Sequence, residues 1–210
     1  MEFDPEKIPA RAVYNLLIGL VAPRPIALAS TICRDGKVNL SPFSFFNVFS
    51  SEPPILIFSP SRRIRDASRK HTLMNIEEVG EVAISIVDAS ILDRVNIASA
   101  EYPDGANEFE CAGFTEMKST KIRPPFVKES KVSMECKVME VKPMGRQGGA
   151  GNLIICEVLV MHVNENILDA DQKICPIKFG QVGRLGGDWY ANMDEFILFK
   201  LPKPQLSAHL

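Results

Sequence analysis

Alternation of apolar and polar positions, the pattern of β-strands, runs through most of the chain. Segments 25–33 and 37–44 are rich in apolar residues and lie on either side of Asp35-Gly36. Because Asp-Gly readily adopts the backbone of a tight turn, this arrangement predicts a β-hairpin. Two further apolar runs predict short buried strands, at residues 55–60 and 81–88.

A second pair of alternating segments covers residues 131–143 and 151–164. A period of two over that length predicts strands, and the glycine-rich residues 144–151 between them predict a hairpin loop. In the first segment, one predicted face contains Val132, Met134, Cys136 and Val138. In the second, one face contains Leu153, Ile155, Glu157, Leu159 and Met161, and the other contains Ile154, Cys156, Val158, Val160 and His162.

Helical patterns are fewer and shorter. Residues 71–80 predict a helix that Thr72 opens and Gly80 ends, and two more short helices are predicted around residues 11–17 and 92–97. Many antiparallel strands with a few helices between them indicate a mainly β fold, either a barrel or a sandwich. The length of 210 residues suits a single domain, with a frayed tail expected from about residue 202.

Composition and charge exclude several classes of protein. A net charge of −2 argues against a nucleic-acid binder that works by neutralising phosphates. The N-terminus lacks the features of a signal peptide, and no uninterrupted apolar run in the sequence is long enough to predict a membrane span. The 5 cysteines are widely spaced, and the 3 histidines form no metal-binding motif. We therefore expect a cytoplasmic protein with free thiols, without a bound metal.

The first candidate site is the stretch "NLSPFSFFNVFSSEPPILIF", residues 39–58. Four phenylalanines lie there beside serines and an asparagine, and they are Phe43, Phe45, Phe46 and Phe49. Aromatic rings next to fixed polar atoms suit a flat heterocycle, whose faces and heteroatoms they would contact. The alternative is a barrel corner, in which the phenylalanines fill the core and the serines cap turns.

The second candidate site is the basic run at residues 59–72, where 6 of 14 side chains are basic, counting His71. The run ends at the start of the predicted helix, where free N–H groups and the helix dipole favour an anion. Lys70, His71 and Thr72 lie at that point, and Arg62 and Arg63 could add bidentate contacts. The alternative is a solvated loop. Together, the two candidates fit a flat ring with a phosphate tail, with FMN as the first suggestion and pyridoxal phosphate as the second.

These segments resemble a known family, the flavin reductase-like, FMN-binding split-barrel proteins. The resemblance rests on "RPIALAST" (24–31), "NLSPFSFFN" (39–47), "SSEPPILIFS" (50–59), "RKHTLMNIEEVGE" (69–81), "NEFECAGFT" (107–115) and "GRLGGDWYANM" (183–193). They occur in the family's order and cover nearly all of residues 10–202. The resemblance implies a Greek-key antiparallel split β-barrel with a few inserted helices, and a homodimer with one FMN in each subunit.

The resemblance also implies roles for particular residues. The ring and ribityl chain of FMN would contact Ser44, Phe45, Phe46 and Asn47, and the phosphate would contact Ser61, Arg62, Lys70 and Thr72. Phe43 and Phe49 are expected to fill the barrel behind the ring. Arg24, Ser59 and His71 complete the expected cofactor-binding set. His71 is a departure, because the family often has Asp between the Lys and the Thr. Residues 101–115 predict a loop, either over a pocket or simply on the surface.

The leading functional hypothesis is an NAD(P)H-dependent flavin reductase, in which a nicotinamide donates a hydride to the flavin. His162, Arg184 and Tyr190 are the candidates for the nicotinamide side. The electron acceptor would be free flavin or a partner monooxygenase. The alternatives are a flavoredoxin-like carrier, which holds FMN and passes electrons to a protein, and a flavin-dependent oxygenase. The sequence leaves these functions, and the choice between NADH and NADPH, open.

Overall fold

The computed structural model describes residues 1–103 and 105–192. The tail expected from about residue 202 lies outside the described residues. The central element is a seven-stranded antiparallel sheet in the order β2-β1-β5-β8-β9-β4-β3. Its strands are β1 (Ala27–Ile32), β2 (Val38–Phe43), β3 (Phe46–Ser51), β4 (Pro54–Phe58), β5 (Glu81–Ile86), β8 (Val132–Pro143) and β9 (Asn152–Val163).

Helices and two small strand pairs surround this sheet. The helices are α1 (Ala10–Leu20), α2 (His71–Val79), α3 (Leu92–Ala98), α4 (Glu108–Cys111) and α5 (Pro176–Phe179). The small pairs join β6 (Glu116–Met117) to β7 (Phe126–Val127), and β10 (Val182–Arg184) to β11 (Tyr190–Asn192). The predicted helices near residues 11–17 and 92–97 are confirmed, and α1 is longer than expected. Within the described residues, no helix has the length and hydropathy that crossing a bilayer requires.

The predicted hairpin between β1 and β2 is confirmed, with Ile32 opposite Val38 at its closed end. Gly36 has a φ of 88°, which a side chain would disfavour, and its N–H donates to the carbonyl of Cys33. The next strand, β3, was not predicted, because polar residues interrupt its apolar pattern. Among the described residues, β3 pairs only with β4, so one of its edges is open in this part of the chain.

The start of α2 differs from the prediction. The helix begins at His71 and has Lys70 at the N-cap position, so Thr72 lies inside the first turn and is buried. Its hydroxyl accepts a hydrogen bond from Asn39 Nδ2 at 2.9 Å rather than capping the helix. The predicted end is confirmed, because Gly80 has a φ of 73° and its N–H donates to the carbonyl of Ile76.

The long hairpin of β8 and β9 is confirmed, but its predicted alternation is broken by two β-bulges, one at Met139 of β8 and one in β9. Glu135 lies opposite Val160 while Cys136 lies opposite Val158, so Leu159 is the extra residue. Because opposite residues share a face, Val160 and His162 lie on the Glu135 side of the sheet. The prediction that they share a face with Ile154, Cys156 and Val158 is therefore wrong.

Both faces of the sheet are buried near β1. Ala27 and Ala29 pack into one hydrophobic core together with residues of α2, β4 and β9. Leu28, which points to the opposite face, packs into a second core with residues of α3 and α4. β1 is therefore buried on both sides. It pairs with β2 and packs in one core with β4, and the candidate site lies at the ends of these two strands.

Candidate functional site

The aromatic residues of the first candidate site form a corner between β2 and β3. Phe43 is buried, whereas the ring of Phe45 is 39% exposed. The backbone carbonyl of Phe45 accepts from the N–H of Ser59 at 2.9 Å, which ties the corner to the end of β4. Tyr14 of α1 lies beside Phe45, with 6.5 Å between the ring centroids. The corner is therefore fixed to the end of β4 by its backbone, while Phe45 remains partly exposed to solvent.

Two cavities of similar size lie at this corner. One has a volume of about 460 Å³ and contains the basic residues that follow β4. The other, of about 450 Å³, is mainly apolar and is bordered by Arg24, Phe46, Asn47 and Phe49. Ser44, Phe45 and Ser59 line both cavities. The structure thus brings the predicted ring-contacting residues to one surface, next to the predicted phosphate-binding residues.

The cavity of about 460 Å³, which we call the basic cavity, is lined by four cationic side chains: Arg62, Arg63, Arg65 and Lys70. Ser61 also lines it, as predicted. Its one acidic lining residue among the described part of the chain is Glu101. The cavity is therefore strongly electropositive, as a phosphate site requires.

The loop that carries these arginines is braced by its own side chains. Arg62 Nη1 donates to the carbonyl of Ala67 at 3.0 Å, and Arg63 Nη1 donates to that of Arg69 at 2.6 Å. The loop between β8 and β9 supports it from behind, since the N–H of Gly149 donates to the carbonyl of Arg62. The arginines are thus held in place before any ligand arrives, which lowers the entropic cost of binding one.

Several cationic groups of the basic cavity have unused hydrogen-bonding capacity. The Nε atoms of Arg62 and Arg63 are buried without a hydrogen-bond partner, although Arg63 Nε lies 3.5 Å from a carboxylate oxygen of Glu101. The ammonium of Lys70 lies 5.5 Å from the centre of the Phe43 ring. Burial, and then the charge of Arg63, lower the pKa of Lys70. The cationic side chains together give the wall of this cavity a concentrated positive charge, which an anionic ligand would neutralise.

His71 and Thr72 occupy a different place from the one expected. They line a small polar cavity of about 50 Å³, which Arg63 and Lys70 also border. Glu108 lies at the same cavity, where its carboxylate accepts from the N–H of Leu40 at 3.1 Å, and burial raises the pKa of Glu108. The structure therefore places His71 and Thr72 behind the basic cavity rather than on its wall.

Arg24 borders the apolar cavity, but its guanidinium is bound to the protein itself. Nη1 donates to the carbonyls of Ile18 and Val21, both at 2.6 Å, and Nη2 donates to that of Leu185 at 3.1 Å. Nε lies 3.4 Å from the hydroxyl oxygen of Ser44. Arg24 therefore connects the end of α1 to the aromatic corner, and this role was not visible in the sequence.

The three nicotinamide-side candidates separate into two groups. The backbone of Arg184 pairs with that of Arg24 through two hydrogen bonds of 2.8 and 2.9 Å, and its guanidinium lies over the Tyr190 ring at 4.3 Å. His162 instead binds Glu135 at 2.8 Å and stacks on Phe126. The structure joins Arg184 to Arg24 by backbone pairing and Tyr190 to Arg184, although neither lines either cavity. It places His162 beside Glu135 instead.

Sequence reasoning missed several residues of the site. Glu101, Ile64 and Arg65 line the basic cavity, and Phe49 lines the apolar one. The expectation that Phe49 fills the barrel behind the site is wrong, because Phe49 is 63% exposed. Residues 101–115 were expected as a loop, and they include the short helix α4. No group of three or more metal-ligating side chains occurs among the described residues.

The described residues thus form an antiparallel sheet that carries a braced cationic pocket beside an aromatic corner. A family model described as the flavin reductase like domain matches residues 20–178. The chain belongs to this family. It is 38% identical over 190 residues to an uncharacterized protein of Aquifex aeolicus, a match that covers 90% of this chain and 94% of that one.

Solved structures support the same family and fold. Nitrilotriacetate monooxygenase component B from Bacillus cereus is 30% identical, with a TM-score of 0.89 and coverage of 96% of this chain and 98% of that one. The 2-nitrobenzoate 2-nitroreductase of Pseudomonas fluorescens is 25% identical, with a TM-score of 0.84 and coverage of 99% and 100%. A split-barrel protein from Shewanella frigidimarina, described as a flavin reductase, is 27% identical, with a TM-score of 0.81 and coverage of 97% and 100%.

These matches confirm the expected split β-barrel and flavin reductase-like family. The chain is thus a flavin oxidoreductase in the general sense. Flavoredoxin of Desulfovibrio vulgaris (Miyazaki F) shares the fold, with a TM-score of 0.71 at 21% identity and coverage of 90% of this chain and 93% of that one.

Proposed function

We propose that the protein binds FMN and acts as an NAD(P)H-dependent flavin reductase. The observation that carries this proposal is a single cavity lined both by four cationic side chains and by the partly exposed aromatic residue Phe45. A ligand that is anionic at one end and flat and aromatic at the other satisfies both parts. Family membership supports a flavin as that ligand.

The phosphate of FMN would be held in the basic cavity. Arg62 and Arg63 offer planar guanidinium groups that can bind phosphate oxygens in pairs. Lys70 adds a charge from the N-cap position of α2, next to the positive end of the helix dipole. Ser61, on the same wall, contributes a hydroxyl. His71 and Thr72 would act from behind by supporting the position of Lys70.

The ring system would lie along the corner formed by Ser44, Phe45, Phe46 and Asn47. Ser44 and Ser59 line both cavities, so their polar groups can address a ligand that extends from one to the other. When bound, the flavin supplies the redox chemistry by accepting a hydride from the nicotinamide. The residues of the chain would position the flavin ring, shield one of its faces from solvent and leave the other face open to the nicotinamide.

The nicotinamide coenzyme would approach from the apolar cavity. That cavity has an aromatic and aliphatic wall and includes Arg24, to which Arg184 is joined by backbone hydrogen bonds. An apolar wall next to a cation suits a nicotinamide ring followed by a pyrophosphate. His162 takes no part in this proposal, because it is bound to Glu135 away from both cavities.

Steady-state oxidation of NADH and NADPH, with and without added FMN, tests this function. A flavin reductase should show a rate that rises and saturates with added free FMN. A protein that holds FMN tightly and shows no NAD(P)H turnover would instead be an electron carrier of the flavoredoxin type. The likeness to a monooxygenase component supports the reductase, with free flavin or a monooxygenase as the acceptor.

A homodimer is part of the same proposal. Exposed apolar side chains of α1 and of the open strand β3 include Leu17, Leu20, Val48 and Phe49. Apolar surface next to an unpaired strand edge favours association, and a second copy of the chain is the proposed occupant. The described cysteines are all free thiols, which supports a reducing compartment such as the cytoplasm.

A further inference from the structure

Glu101 is placed as the counter-ion of the basic cavity. Its Oε2 lies 2.9 Å from Arg65 Nη1, and its Oε1 lies 3.5 Å from Arg63 Nε. The carboxylate also opposes the charge of Arg63 in its effect on Lys70, where it raises the pKa. One acidic side chain thus acts on three of the four cations that line the cavity.

The two sides of this ion pair differ in burial. The side chain of Glu101 is 60% exposed, whereas that of Arg63 is 17% exposed. An ion pair that is open to water contributes little to stability, so the carboxylate can leave at small cost. Arg63 cannot follow it, because its Nη1 is bound to the carbonyl of Arg69. A ligand that arrives in the cavity therefore meets a fixed Arg63 and a displaceable carboxylate.

A phosphate monoester would compete directly with this carboxylate. It carries about 1.5 to 2 negative charges at neutral pH and offers three acceptor oxygens. The buried Nε of Arg63 has no hydrogen-bond partner, although Glu101 lies within ion-pair distance. Phosphate can supply the bond that the carboxylate leaves unmade, but the two anions repel each other if both remain.

We propose that Glu101 weakens the binding of phosphorylated flavin by competing for Arg63 and Arg65, and thereby keeps FMN exchangeable. This inference rests on the proposed function and refines it, because an exchangeable flavin is a substrate rather than a permanently held group. Glu101 also borders the small polar cavity behind the site.

Substitution of Glu101 by Gln tests the competition, because Gln has nearly the same shape and no charge. One unit charge at about 4 Å in water corresponds to roughly a fivefold change in a binding constant. We expect E101Q to bind FMN about fivefold more tightly than the wild type at low salt, with little change for riboflavin. The Kd values would be measured by quenching of flavin fluorescence on titration with protein.

The matched control is Glu140→Gln, which makes the same change in net charge on an exposed position of β8. It should leave both Kd values unchanged. Unchanged or weaker FMN binding by E101Q would overturn the inference, because Glu101 would then organise the arginines rather than compete for them. Equal tightening for FMN and riboflavin would overturn it as well.

Titration with inorganic phosphate separates this inference from the proposed function. If the wild type binds neither flavin, the flavin proposal fails on its own. If E101Q then still binds phosphate about fivefold more tightly than the wild type, the role of Glu101 as a competing anion holds. Equal binding of phosphate by the two proteins would contradict it.

Discussion

The Nε of Arg24 lies 3.4 Å from the hydroxyl oxygen of Ser44, and the rest of the guanidinium is bound to three backbone carbonyls. Two of these carbonyls belong to Ile18 and Val21, where α1 ends and its last carbonyls lack partners within the helix. Arg24 thus joins the end of α1 to the first polar residue of the aromatic corner. The guanidinium of Arg24 therefore stabilises the structure of the site through these hydrogen bonds.

Arg24→Lys should therefore disturb the corner while conserving charge. A lysine cannot reproduce the fork of donors, and the loss of buried hydrogen bonds should lower the free energy of unfolding by about 2 kcal/mol. Urea denaturation measures this change. The Kd values of FMN and riboflavin should rise together, because the corner holds the part that both share. A loss confined to FMN would show that Arg24 contacts the phosphate instead.

Glu135 should make the protein sensitive to acid. Burial alone would raise the pKa of Glu135, but the N–H groups of Thr120 and Lys121 and the hydrogen bond from His162 outweigh it and lower the pKa to about 2. Because the folded pKa lies below the ordinary 4.5, the stabilisation is present above about pH 4.5 and is lost as the pH falls towards 2.

Urea unfolding between pH 6 and pH 2.5 measures this dependence. Glu135→Gln should lower the free energy of unfolding by about 2 kcal/mol at pH 6. In this variant, the free energy of unfolding should also decrease less steeply as the pH falls. Glu140→Gln, on an exposed position of the same strand, should behave like the wild type. An unchanged acid slope in the Glu135 variant would mean that other carboxylates carry the effect.

The open strand β3 should form part of the dimer interface. Val48 is 64% exposed, lies in the middle of that strand and is absent from the walls of both cavities. A charge at this position would be buried without a partner in a dimer, so Val48→Lys should convert dimer to monomer. Light scattering coupled to size-exclusion chromatography measures the mass.

The matched control for the dimer is Met139→Lys, because Met139 is 58% exposed on β8, away from that edge. It should leave the mass unchanged. A wild-type protein that is monomeric at all concentrations would refute the proposed dimer, and a dimeric Val48 variant would place the interface elsewhere.

Local chemistry accounts for the parts of the fold that were predicted. The hairpin at Asp35-Gly36 follows from turn residues that lie next to each other in the chain. The bulge at Leu159 depends instead on how β9 pairs with β8, and no residue type in the stretch marks it. The strand β3 was missed for a related reason, because it forms through pairing with β4.

The residues of the candidate site also fall into two groups, those that the sequence predicted and those that only the folded chain brings together. The aromatic corner and the basic run were visible because each is continuous in sequence. Glu101 was not identified as a site residue, because only the folded chain brings it to Arg63 and Arg65. Thr72 was expected at the phosphate because free N–H groups and the helix dipole favour an anion at a helix start. Its pairing with Asn39 of β2 is a tertiary contact, which the sequence does not show.

Titration of the wild type and of a variant that combines Arg62→Ala with Lys70→Ala, using FMN and riboflavin as ligands, tests the flavin assignment most directly. The wild type should bind one FMN per chain. In the variant, FMN affinity should fall on the order of 100-fold, because two charge-assisted contacts are lost. Riboflavin, which lacks the phosphate, should bind both proteins within about twofold, since the cavity contacts that remain are the same.

The control variant removes the same charge elsewhere by combining Lys137→Ala with Lys142→Ala, both on exposed positions of β8. It should bind FMN like the wild type. The result that we predict is a loss specific to FMN in the cavity variant alone. Equal losses for FMN and riboflavin would contradict the phosphate assignment, and a wild-type protein that binds neither ligand would contradict the flavin site itself.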